Sequence, residues 1–327
     1  QCDTLAFDSE LPALAPHPGL QLDLSQLSLK KYFAYGYIPA PRSVYEDVYK
    51  LPGGCSMLVK AADLKPRVHS YWNFEIEPFE TIPENPEAEW GERLRELLDR
   101  AEQRRLMSDV PLGVFLSGGI DSSAVTALAS RHVSRGNLST FSIGFEEASF
   151  DESAYARQVA DVFHTKHNED ILSIEKARDL LPDITALLDE PMGDSSLLPT
   201  HLLCRFTRQQ VTVALGGDGS DELFAGYDPF QALRYARCYR RLVPKPLHSA
   251  MRLVMNRLPV SHRNMSLDFR IKRTLRGLSY KPALWTPVWM ASIDPRELDD
   301  LFAEHHRDGQ KGGSDLEEIY SEANETW

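Results

Sequence analysis

Seven consecutive residues, Ser117-Gly118-Gly119-Ile120-Asp121-Ser122-Ser123, bring together two glycines, three hydroxyls and one carboxylate. Without Cβ atoms, the glycines leave backbone amides open to a phosphate. The start of a following helix adds N–H groups with partial positive charge and no internal acceptor. Ser117, Ser122 and Ser123 add hydroxyl donors. Asp121 would repel a bare phosphate, so its presence implies a bridging Mg²⁺. The chemistry that fits is a cradle for the pyrophosphate leaving a nucleotide. The plainer alternative is a glycine-rich turn with a capping Asp.

A second run, Gly216-Gly217-Asp218-Gly219-Ser220-Asp221-Glu222, continues to Gly226-Tyr227. Its carboxylates at 218, 221 and 222 repel one another unless a cation or solvent offsets them. The Walker loop needs a Lys-Ser/Thr pair that neither run has, and neither matches Gly-x-Gly-x-x-Gly. His164-x-x-His167 and His305-His306 lack a third ligand at suitable spacing, so structural roles are expected of them. Cys2, Cys55, Cys204 and Cys238 show no Cys-x-x-Cys spacing and read as reduced thiols.

Positioning these loops requires strands that end at them. Residues 110–116 are a short apolar run suited to a buried parallel strand, and 121–132 read as a helix. Strand 139–143, helix 153–162, helices 174–188 and 197–209, and strand 211–215 complete an alternation that implies βαβ units around a parallel sheet. The second loop should then rise beside the first at the carboxyl edge of the sheet, where such folds place ligands. Residues 77–86 read as a linker, and a helix follows with Leu94, Leu97, Leu98, Ala101 and Leu106 on one face. Before residue 80 the chain is rich in Pro and aromatics, with strand-like pieces at 56–59 and 71–74. Beyond residue 228 it reads as helical. The division expected is 1–80 and 81–327.

With 327 residues the chain has room for one large α/β domain and a smaller piece. No apolar run reaches the roughly 20 residues of a membrane span, and no signal peptide is visible, so a cytoplasmic protein is expected. A formal net charge of −12 argues against nucleic acid as a partner. Arginines are nonetheless dense at 234–276, including Arg240, Arg252, Arg263, Arg273 and Arg276. Their alternation with Leu, Val and Met favours solvated helices over a binding groove.

The first loop is similar to the signature of ATP pyrophosphatases. Together the two loops resemble the synthetase domain of the glutamine-hydrolysing asparagine synthetase B family. Supporting likenesses are Phe7-Asp8-Ser9-Glu10-Leu11, His17-Pro18-Gly19-Leu20 and Tyr35-Gly36-Tyr37-Ile38-Pro39-Ala40-Pro41, which look like the tail of its glutaminase domain. Thr140-Phe141-Ser142-Ile143-Gly144-Phe145 looks like its second synthetase strand, and Asp189-Glu190-Pro191 with Asp194-Ser195-Ser196 like its acceptor region.

The resemblance implies an open parallel sheet flanked by helices, of the adenine nucleotide α-hydrolase-like kind, with a β-containing N-terminal remnant and a helical C-terminal part. It implies ATP and Mg²⁺, an acceptor such as aspartate, ammonia from glutamine, and a homodimer. Leu116, Ile143, Gly216 and Gly217 would surround adenine and ribose. Ser117, Gly118, Gly119 and Ser122 would hold pyrophosphate, and Asp121 and Asp221 would coordinate Mg²⁺. Asp218 and Asp121 would be catalytic, and Glu190, Asp194 and Ser195 would border the acceptor.

Departures shape these expectations. Cys2 follows Gln1 and precedes Asp3, unlike the family's leading Cys before Gly, so no glutamine hydrolysis is expected of this chain. The family's Lys-x-Asp-Arg segment is missing, and both ends of the chain look cut. Asp194-Ser195-Ser196 differs from the Thr-and-Arg aspartate pocket of some asparagine synthetases. Related enzymes with another acceptor, such as β-lactam synthetases or exopolysaccharide-cluster amidotransferases, therefore stay open. So do a tRNA-modifying pyrophosphatase and a non-catalytic nucleotide-binding module.

Overall fold

Short apolar runs bounded by loops form the strands, and longer amphipathic stretches form the helices between them. In this computed structural model the described residues are 4–75, 77–257, 259, 266–302 and 316–321. They fall into two units. One gathers the chain before residue 77 with Leu187–Asp194 and the chain from Ala232 onward; the other holds Glu77–Ala186 and Ser195–Gln231.

In the first unit, β1 (Cys55–Val59) and β2 (Pro66–Ser70) form an antiparallel pair. The strand lies at 66–70 rather than at the expected 71–74, because the turn at 60–65 returns the chain directly. A helix, Gln26–Tyr35, lies in the Pro- and aromatic-rich stretch for which no element was expected. Ser25 caps its start by accepting the Ser28 amide, and Gly36 ends it in a left-handed conformation. Ala34 on this helix joins Leu284, Val288, Leu298, Ile319 and Tyr320 in one core. Lys31 is fully buried. Its Nζ donates to the carbonyls of Glu318 and Ile319 and to Ser321 Oγ, at 2.9, 3.0 and 3.1 Å. A cation there complements the negative end of the helix Leu316–Ile319.

In the second unit, β3 (Leu112–Phe115), β4 (Ser139–Phe145), β5 (Lys166–Leu172) and β6 (Val213–Leu215) form a wholly parallel sheet in the order β5-β4-β3-β6. The chain builds outward from β3 through β4 to β5, then returns to lay β6 on the other side of β3. The order reverses between β3 and β6, and at such a switch the loops leaving the two strands diverge and open a crevice. The two glycine-bearing loops leave those two strands.

Apolar packing fixes the sheet on its helices. Val114, Ala129 and Leu138 close one contact against the helix Ile120–His132. Leu116 meets Ala156 and Ala160 of Ser153–Phe163. Leu172, Leu180, Ile184 and Leu202 form a third cluster, with Ile143 and Phe145 packed onto it. The helix Pro86–Arg105 is tied to Ile120–His132 through Asp99, which meets Arg131 at 3.2 Å and His132 at 3.0 Å. That helix begins inside the segment expected to be a linker, with Pro at its first turn, where a missing N–H costs nothing.

Candidate active site

The helix Ile120–His132 starts on Gly119, with no side-chain cap, immediately after β3. The amide of Ser123 returns to Gly119 O at 3.0 Å, and that of Gly119 reaches Ser117 Oγ at 3.2 Å. Among the described residues the amides of Gly118, Ile120, Asp121 and Ser122 find no protein acceptor. The sequence therefore leaves four donors at a positive helix end unspent, which is the physical content of an anion cradle.

The hydroxyls are organised with them. Ser117 Oγ and Ser122 Oγ lie 2.9 Å apart, and Ser122 Oγ also donates to Gly119 O at 3.2 Å. Gly118 has φ +87°, a left-handed conformation that a side chain strains. A Cβ there would also meet Ala156 N and Tyr155 Cβ at 2.6 Å, so the turn lies flush on the next helix.

The second loop rests on the first. A Cβ on Gly217 would sit 2.9 Å from Ser122 N and 3.0 Å from Asp121 Cβ, both too close to exist without movement. The two turns are therefore in direct contact, and glycine is what allows it. Asp218 folds its carboxylate toward Gly216, and Asp221 Oδ1 lies against Gly226. None of the Asp121, Asp218 and Asp221 carboxylates has an ion-pair partner among the described residues.

Those carboxylates are hard oxygen donors of the kind Mg²⁺ takes. No three His, Cys, Asp or Glu side chains converge on a metal position among the described residues. Mg²⁺ in nucleotide sites commonly takes one or two carboxylates and completes its shell with phosphate oxygens and water. Asp121 and Asp221, on two touching turns, fit that donor set.

The other expected site residues are placed as follows. Leu116 is 1% exposed, with its side chain in the core and its amide donating to Phe141 O at 2.8 Å. Ile143 is packed on the Leu172 cluster and is likewise only partly accessible. Asp194 and Ser195 are exposed. Glu190 is held by two partners in the first unit. Its Oε1 accepts the Val44 amide at 2.7 Å and its Oε2 the Lys50 ammonium at 2.6 Å, while Lys50 also donates to Ile38 O at 2.6 Å. The carboxylate is spent on holding 38–50 to 187–194.

The histidines are structural where they can be described. His164 ends the helix Ser153–Phe163 in a left-handed cap. His167 bonds Thr140 Oγ1 at 3.0 Å and Ser142 Oγ at 3.3 Å; burial holds its pKa down, against the raising effect of Glu169. Cys2, Arg263, His305 and His306 lie outside the described residues.

Asp151 is a positioning residue the sequence analysis missed. Its Oδ1 accepts the amides of Phe145 and Ser153, both at 3.2 Å, and its Oδ2 accepts Ser153 Oγ at 3.0 Å. The Ser153 amide is the main cause of a pKa below the ordinary Asp value. Asp151 thus fixes the helix whose Tyr155 and Ala156 back Gly118. An Asp two residues before a helical Ser is a recognisable capping signal.

The asparagine synthase family profile matches residues 93–317, and the glutamine amidotransferase domain profile matches 1–72. A putative glutamine-hydrolyzing asparagine synthetase of Mycobacterium tuberculosis is 34% identical over 262 residues, covering 80% of this chain and 40% of the relative. A second, from Methanocaldococcus jannaschii, is 32% identical over 276 residues, covering 84% and 50%. A Bacillus subtilis asparagine synthetase is 28% identical over 265 residues, covering 81% and 40%. This chain therefore spans 40–50% of the length of these relatives. Among solved structures, the NH3-dependent NAD synthetase of Campylobacter jejuni aligns with 52% of this chain and 98% of its own, at 14% identity and a TM-score of 0.29. That similarity is too loose to argue from. The profile match over 93–317 is not, and the chain belongs to the asparagine synthase family.

Proposed function

We propose that this chain carries the synthetase half of an ATP-dependent amide-forming ligase, with residues 1–80 the end of a glutaminase domain and 81–327 the synthetase domain. The acceptor carboxylate, aspartate in the leading reading, attacks the α-phosphorus of ATP. The bond to the α,β-bridging oxygen breaks and pyrophosphate leaves. Ammonia then adds to the acyl carbon and AMP departs, giving asparagine.

Within that reaction the amides of Gly118, Gly119 and their neighbours, with the hydroxyls of Ser117 and Ser122, hold the pyrophosphate as its charge grows. Fixed donors in a crevice need no reorganisation at that moment. Leu116, Ile143, Gly216 and Gly217 surround the adenine and ribose. Asp121 and Asp221 would hold Mg²⁺, which would supply charge neutralisation at the phosphates. Asp218 orients or deprotonates ammonia. Asp194 and Ser195 remain candidates for selecting the acceptor.

The observation that supports this reading best is the contact of Gly217 with the Asp121–Ser122 turn, beside four unspent amides. Pyrophosphate release by the intact protein, screened over amino acids with ammonia and Mg-ATP, tests it. Release that depends on aspartate and yields asparagine is the expected result. Release with another amino acid moves the assignment to a related ligase, a reading that the Asp194-Ser195-Ser196 segment favours. Binding of Mg-ATP with no release under any acceptor would leave a non-catalytic module and overturn the proposal.

A further inference from the structure

The first unit contains a groove of about 880 Å³ between the helices Asp228–Leu242, Lys245–Asn256 and Leu267–Leu278, far in sequence from both glycine loops. Its size is that of a small-molecule site. Arg240, Lys245, Arg252, Lys281 and Arg296 line it, and no Asp or Glu does among the described residues. In a chain of net charge −12, five cations around one concavity are a local reversal of sign.

The wall is built rather than loose. His248 bonds Tyr239 OH at 3.2 Å through Nδ1 and Ser279 Oγ at 3.0 Å through Nε2. Arg252 donates to the same Ser279 Oγ at 3.3 Å and to Asp294 Oδ2 at 2.9 Å. Asp294 is buried behind the wall, where it offsets Arg252 and also accepts the Tyr280 hydroxyl. Arg296 lies 4.8 Å over the Tyr280 ring and donates to Ser279 O at 3.3 Å. Two guanidiniums are thus set in place by neighbours, while Arg240 and Lys245 stay exposed at the rim. Val243 and Leu278 give the floor an apolar strip.

We propose that this groove is a second anion site, separate from the nucleotide cradle, that takes a small molecule carrying a phosphate or pyrophosphate group. Guanidiniums match phosphate oxygens in geometry, and preset ones lose little freedom on binding. The inference does not depend on the reaction assigned to the glycine loops.

Calorimetric titration with inorganic pyrophosphate at low salt tests it on three proteins: wild type, the Arg240→Ala/Lys245→Ala double variant and the loop variant Gly217→Ala. Lys245 is exposed and Arg240 gives up only a contact 6.0 Å over the Trp285 ring, so the double variant should keep a Tm close to that of the wild type. Two classes of site are expected in the wild type. The double variant should weaken one class about tenfold, and Gly217→Ala should weaken only the other. AMP and glucose 6-phosphate, run as competitors, identify a nucleotide or a sugar phosphate as the source. Unchanged binding in the double variant, or a wild type whose every site is lost in Gly217→Ala, would overturn the groove while leaving the cradle intact. A wild type with a single class of site, weakened by the double variant and untouched by Gly217→Ala, would keep the groove and remove the cradle.

Discussion

Gly217 has no room for a side chain, because Ser122 N and Asp121 Cβ occupy the space. Gly217→Val must push the two turns apart, and a separation of a few tenths of an ångström misaligns every donor at once. Nucleotide affinity should fall about tenfold or more while the far-UV spectrum stays native. Asp121 and Asp221 act differently, since neither is needed to keep the turns together. In Asp121→Asn and Asp221→Asn, affinity measured in EDTA should match the wild type, and the gain on adding Mg²⁺ should shrink about tenfold. An unchanged Mg²⁺ gain removes them as ligands. Glu190 belongs to stability. Glu190→Ala leaves Lys50 unpaired beside a half-buried loop, and should cost about 1–3 kcal/mol in urea unfolding without altering nucleotide affinity.

At the level of elements, the loop geometry depends on the helix Ser153–Phe163, whose entry Asp151 caps. Asp151→Ala should lower stability by about 1 kcal/mol and weaken nucleotide binding as Gly118 loses its backing; native affinity with lowered Tm would confine Asp151 to stability. The strands that carry the site were legible in sequence because they are short apolar runs, although β6 lies at the sheet edge with Val213 exposed. Leu112–Phe115 and Val213–Leu215 read as apolar runs, and Ser139–Phe145 was found with its end two residues early. The edge strand Lys166–Leu172 was missed. Its Lys-His-Asn-Glu-Asp start carries no apolar alternation, and what holds it is pairing with β4 and a His167 hydrogen-bond network that only tertiary structure creates. The helix Gln26–Tyr35 was obscured for a related reason. Lys31 breaks its apolar face, yet Lys31 is buried on the carbonyls near residue 318, nearly three hundred positions away. The bonds of Glu190 were not legible for the same reason, since its partners Val44 and Lys50 are remote in sequence. The arginine-rich helices were expected to be solvated. Arg276 instead donates to Val288 O, and Arg252 to Asp294, so part of that charge is internal.

Across the whole molecule, two half-buried imidazoles couple folding to pH. Burial is the chief cause of the lowered pKa at both His167 and His248; Arg252 and Arg296 add to it at His248. The unfolded chain then binds more protons than the folded one just below the ordinary His value of about 6.5, so stability is level above that pH and falls as pH drops through it. Glu102, raised mainly by burial, acts in the opposite sense at lower pH, so the comparison belongs between about pH 7.5 and about pH 6. Urea unfolding should show a loss over that interval in the wild type and a smaller loss in His167→Gln/His248→Gln. A wild type equally stable at both would contradict the account. No helix among the described residues is long and apolar enough to cross a membrane.

Touching glycine turns at the β3–β6 switch are proposed to hold the phosphates of ATP. Calorimetry with Mg-ATP on this chain and on Gly217→Val tests it most directly. The account predicts saturable binding to the wild type at or below about 1 mM nucleotide, and its loss in the variant. No heat from the wild type at that concentration, or equal affinity in the two proteins, would contradict it.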